Sequence, residues 1–135
     1  MRPREPHLFY LYVCIDRSLL VKNLGGEETV ATAAVGALVE ALATVSPRGK
    51  QASFASRARA SYILAERGDG QPRTLAGAFL KPVRGEDLMR ASSTALESFR
   101  EKMDAAYGPS TDEPTVLDVE TGVGSLAEMV SYVTG

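Results

Sequence analysis

Hydrophobic positions along this chain switch between two spacings, and the switches mark its elements. Leu8 to Asp16 alternates, with Phe9, Leu11, Val13 and Ile15 on one face and Tyr10, Tyr12 and Cys14 on the other. This predicts a strand that is apolar on both sides, either an interior strand or one whose second face meets a ligand. Ser18 to Asn23 predicts one helical turn, stopped by Gly25-Gly26. A helix follows, its start complemented by Glu27 and Glu28 and its core-facing stripe formed by Val30, Ala34, Ala37, Leu38, Leu42 and Val45. It ends near Ser46-Pro47.

Beyond residue 58 the alternation returns, and Ala58 to Glu66 predicts a strand through Tyr62, Ile63 and Leu64. Arg67 to Pro72 is rich in turn formers, so its Arg-Gly-Asp tripeptide is a turn by composition. Thr74 to Val83 predicts an irregular segment packed by Leu75 and Phe79. A second long helix is expected from Asp87 to Tyr107, burying Leu88, Ala91, Ala95, Leu96, Phe99, Met103 and Ala106 and ending at Gly108-Pro109. Thr115 to Glu120 predicts a short strand. Ser125 then caps a last helix whose inner side carries Leu126, Met129, Val130 and Val133. Residues 1–7 are expected to be a disordered or trimmed lead-in, and residues 8–135 one α+β domain.

Composition narrows the class. Hydrophobic residues make up 44% and charged residues 24% of the 135, an ordinary globular balance. The longest apolar run, Leu8 to Ile15, is far short of the ~20 residues of a membrane helix. The stretch before it, with two prolines and a glutamate, lacks the signal-peptide pattern, so a cytoplasmic location and no membrane partner are expected. Cys14 is the sole cysteine and His7 the sole histidine. Those counts argue against a multi-cysteine metal site and a histidine-dependent triad. The pairs Asp112/Glu113 and Asp118/Glu120 are expected to be solvated, and neither a P-loop nor a dinucleotide fingerprint is present.

Charge is unevenly divided although the net is only −2. Residues 1–84 hold twelve basic and seven acidic side chains, whereas residues 85–135 hold three and ten. The most basic stretch is the connection at residues 46–59, where Arg48, Lys50, Arg57 and Arg59 occur without an acid. Cations with a glycine, Gln51 and Ser53 nearby are the parts that hold a phosphate backbone, and Phe54 or Tyr62 supplies a stacking face. Tyr10 and Tyr12 are either a base platform or packing residues.

Three segments together resemble one family. Phe9-Tyr10-Leu11-Tyr12-Val13 followed by Asn23-Leu24-Gly25 is similar to the Phe-Tyr-x-Tyr strand and Asn-Leu-Gly element of the type I-E CRISPR Cascade backbone subunits, the CasC family. The helix ending Ala43-Thr44-Val45-Ser46-Pro47 and running into Gly49-Lys50-Gln51-x-Ser53-Phe54-Ala55 resembles its helix-to-strand junction. Pro72-Arg73-x-Leu75-Ala76-Gly77-Ala78-Phe79 with Lys81-Pro82-Val83 resembles a third segment, with Leu80 where the family has glutamate.

The resemblance implies an RNA-recognition-motif (ferredoxin-like) core, here incomplete, because family members are longer and this chain matches their C-terminal portion. It implies a non-catalytic subunit without cofactor that binds guide RNA (crRNA) along its backbone. Its partners would be other copies of itself and other Cascade subunits, with target DNA met indirectly. Lys50, Gln51 and Ser53 would lie along the RNA with Arg48 nearby, and Arg57 and Arg59 are added on charge alone. An incomplete core leaves a sheet edge open, so the piece is expected to dimerise or swap elements. The alternative is a ferredoxin-like protein–protein interaction module whose basic loop docks an acidic partner. A carboxylate-dependent nuclease is disfavoured, since the acids cluster after residue 84, away in sequence from the basic loop.

Overall fold

The computed structural model describes residues 8–45 and 59–135. In chain order the elements are α1 (Arg17–Asn23), α2 (Glu28–Thr44), β1 (Tyr62–Ala65), a 3-10 helix (Ala76–Phe79), α3 (Leu88–Tyr107), β2 (Thr115–Asp118) and α4 (Leu126–Thr134). Helices beside an antiparallel strand pair make this an α+β protein. Two compact units divide the chain: residues 15–68 with 111–135, and residues up to 14 with 69–110.

In the first unit β1 and β2 pair antiparallel, Tyr62 opposite Asp118 and Ala65 opposite Thr115. Among the described residues this sheet has two strands. A pair this small is marginal without a covering helix, and α4 packs against both strands. Met129 of α4 is fully buried and Leu126, Val130 and Val133 are partly covered, as the inner side predicted. Ser125 caps the helix by accepting from the Glu128 amide at 3.1 Å.

α2 rests on α4 through a different face from the one its pattern predicts. Its buried residues are Ala31, Val35, Gly36 and Ala43. Val30, Ala34, Ala37, Leu38, Leu42 and Val45 are exposed. The physical reason is close approach: a Cβ on Gly36 would meet Thr134 Cγ2 at 3.2 Å and Val130 Cγ1 at 3.4 Å. Small residues let the two helices lie that near, with Val35 on the same buried face, while Val30, Leu38 and Leu42 are turned away.

Among the described residues, the strand predicted over Leu8 to Asp16 does not form. Residues 8–15 form no ladder with other described residues and are exposed, Phe9 most of all at 93%. Alternating apolar residues favour a strand only where another strand completes the hydrogen bonds, and no described strand runs alongside this segment. Asp16 instead caps α1, accepting from the Leu19 amide at 3.0 Å. α1 itself is seven residues, longer than the single turn expected.

In the second unit Asp87 caps α3 by accepting from the Arg90 amide at 3.0 Å. Leu96 is buried and the rest of the predicted stripe is partly covered, except Ala106, which is exposed. Leu75 is buried, and the segment around it is irregular as predicted apart from the 3-10 helix. The Tyr10 ring packs against Phe79 with centroids 5.1 Å apart. Tyr10 therefore serves packing, and only part of it faces outward.

Glycine is required at one turn above others. Gly124 has φ +72°, and a Cβ there would collide with the Val116 carbonyl oxygen. Gly25 has φ +70° with open space around it. Gly124→Ala is expected to cost about 3 kcal/mol of unfolding free energy, from conformation and collision together. Gly25→Ala costs about 1 kcal/mol, from conformation alone. Urea unfolding of both variants beside the parent measures the difference.

Candidate nucleic-acid interface

Of the residues singled out for phosphate contact, Arg48, Lys50, Gln51, Ser53 and Arg57 lie outside the described residues, as does Phe54. Arg59 is described, and it is exposed. The structure does define the base from which the 46–58 connection departs and to which it returns. Val45 closes α2 with its amide donating to Ala41 O at 2.8 Å. On the returning limb the Ala60 amide donates to Ala43 O at 2.9 Å. Ser61 O accepts from the Val119 amide at 3.0 Å. The connection thus starts and ends on one clasp joining the end of α2 to the β1–β2 pair, with Arg59 beside it. A helix C-terminus normally leaves carbonyls unsatisfied, and here the returning chain takes one of them.

Which cations are already engaged matters as much as where they lie. Two arginines serve the C-terminal end of α4. Arg17 donates to Thr134 O at 3.3 Å, to Gly135 O at 3.0 Å and to Thr32 Oγ1 at 2.9 Å. Arg67 donates to Tyr132 O at 2.8 Å, and its guanidinium sits 5.5 Å from the Tyr132 ring centroid. Cations at that position complement the helix dipole and satisfy its last carbonyls. In the other unit Arg73 pairs with Asp104 at 2.6 Å, and Arg100 reaches the same carboxylate at 3.7 Å. Arg67 and Arg73 count among the twelve cations of residues 1–84, but both are bound into the structure.

Other candidates resolve in the same manner. Cys14 is exposed and unbridged. Among the described residues no group of three His, Cys, Asp or Glu converges as a metal site requires. Asp118 is engaged locally, its Oδ1 accepting from the Glu120 and Thr121 amides at 3.0 and 3.3 Å. No helix among the described residues is long and apolar enough to cross a membrane.

Against this geometry the comparison with known families is informative. The family model described as CT1975-like protein matches residues 6–131, nearly the whole chain, and the chain belongs to that family. It is therefore a CRISPR-associated protein. The match includes the clasp and the basic connection it carries. No curated protein matches the chain.

Tyr132 offers a pH test of the arginine-held end of α4. Its hydroxyl donates to Glu113 O at 2.9 Å. Burial lifts its pKa above the ordinary value of 10.0, against the opposing pull of Arg67. A raised folded-state pKa means the stability of the neutral phenol is fully present below pH 10 and is lost as pH rises through the raised value. Thermal unfolding between pH 8 and 11 is expected to show falling stability above pH 10. Tyr132→Phe should flatten that part of the fall and cost about 1 kcal/mol at neutral pH, from the lost hydrogen bond.

Proposed function

We propose that this CRISPR-associated protein is a non-catalytic structural subunit, or the C-terminal portion of one, that holds the backbone of a guide RNA in an antiviral surveillance complex. The observation that carries the reading is the acid-free run of four cations at residues 46–59, on a connection whose two limbs are clasped at the end of α2. The fixed base ties both ends of the connection to one place on the fold, which supports contact with a repeating polyanion. Membership of a CRISPR-associated family makes guide RNA the polyanion of choice.

In this mechanism Arg48, Lys50, Arg57 and Arg59 neutralise phosphates. Gln51 and Ser53 donate to sugar or phosphate oxygens, and Gly49 lets backbone amides come close. None of these groups reads a base edge, so base pairing of the guide supplies all sequence discrimination, and target DNA is met through the guide. The strand pair with its covering helix is read as part of an incomplete ferredoxin-like core. Other copies of the chain and other subunits of the complex complete the assembly in the cytoplasm. No cofactor and no cutting step belong to this reading.

The test is a fluorescence titration of single-stranded RNA of arbitrary sequence at several salt concentrations. Binding is expected to weaken steeply with salt and to be indifferent to sequence. Lys50→Ala should weaken all sequences alike and reduce the slope of log K against log salt by about 0.7, one phosphate's worth on a single strand. Salt-independent binding, or an unchanged slope in Lys50→Ala, would remove the reading.

A further inference from the structure

The unit that includes residues 69–110 has an open groove of about 360 Å³ between the 3-10 helix and α3. Leu80, Ala95 and Phe99 give it an apolar lining, and Lys81, Ser98 and Lys102 supply its polar groups. We propose that this groove docks an acidic segment of a protein partner, one that carries an apolar side chain between its carboxylates.

Charge complementarity is the first support. Lys81 and Lys102 are exposed and have no acidic partner among the described residues. The same unit treats its arginines otherwise, joining Arg73 and Arg100 to Asp104. Two flexible ammonium groups beside one apolar surface suit two carboxylates flanking an aliphatic side chain, with salt-sensitive attraction and burial of the side chain both contributing.

The floor itself distinguishes a protein segment from a nucleic acid. A base needs an open aromatic face. Phe99 does not offer one toward the 3-10 helix, because Gly77 lies so close that an added Cβ would stand 2.5 Å from its Cζ. The most exposed apolar side chain of the groove is aliphatic, Leu80 at 86%. Ser98 is its only neutral side chain able to hydrogen-bond. That is sparse for reading nucleotides and sufficient for an apolar anchor.

The experiment uses the full chain and fluorescein-labelled acetylated pentapeptides in an anisotropy titration. One peptide is Glu-Asp-Leu-Glu-Asp, and its control replaces the leucine with serine. The leucine peptide is expected to bind at least tenfold more tightly than the serine peptide. The double variant Lys81→Glu/Lys102→Glu should weaken the leucine peptide at least tenfold while keeping the parent's circular dichroism. Leu80→Ser should lower only the preference for leucine. Absence of leucine-peptide binding, or equal binding of both peptides, would overturn the proposal. So would loss of arbitrary-sequence RNA binding in the double variant, which would assign the groove to nucleic acid. Loss of concentration-dependent self-association in sedimentation would assign it to a second copy of the chain and likewise overturn it.

Discussion

The near contact of α2 and α4 is the constraint on which the larger unit depends. Gly36 allows it, and the side chains of Thr134 and Val130 fill the space where a Cβ would stand. That approach fixes which face of α2 turns inward. It also carries α4 to the β1–β2 pair, which four residues on each strand could not sustain alone. The end of α4 is then held by two arginines far apart in sequence, Arg17 and Arg67. Every element of this unit thus meets α4 directly or through α2. The clasp that bears the basic connection inherits its position from the same contact, because Ala43 belongs to the buried face of α2.

Much of this was legible in the sequence where local chemistry decides the outcome. Asp87 and Ser125 stand where caps belong, and the long helix and the last helix follow them. Leu75 in an otherwise irregular segment is buried, as expected of one of the two side chains that pack it. The misreadings came where a partner element decides. Periodicity in α2 ranks faces by side-chain size, and Val30, Leu38 and Leu42 outweigh Ala31 and Gly36 on any such scale. Close helix packing inverts that ranking, and only the neighbour reveals it. Alternation at Leu8 to Ile15 likewise specifies a strand but cannot supply its hydrogen-bonding neighbour.

The candidate interface divides in the same way. Residue types alone pointed to the 46–59 connection, and the family match covers it. The clasp at Ala43 and Ala60 was invisible, since a backbone hydrogen bond leaves no side-chain signature. Equally hidden was the commitment of Arg67 to α4 and of Arg73 to Asp104. An arginine at a helix end or beside an aspartate reads in sequence like any other cation.

That commitment sharpens the argument about charge. Residues 46–84 carry eight cations and two acids, which looks like a broad basic face. With Arg67 and Arg73 turned to internal carbonyl and carboxylate oxygens, the excess contracts to two places. One is the connection at 46–59, and the other is the stretch of Lys81 and Arg84. They belong to different compact units and differ in chemistry. The first is mostly guanidinium, with a glycine and hydrogen-bonding side chains at hand, and guanidinium suits phosphate through its planar fork. At the second, Lys81 is an ammonium beside an aliphatic surface, where a forked donor has no advantage and a flexible stem does. Hydrogen-bonding side chains around the first and an apolar groove beside the second, in separate compact units, favour two separate ligands.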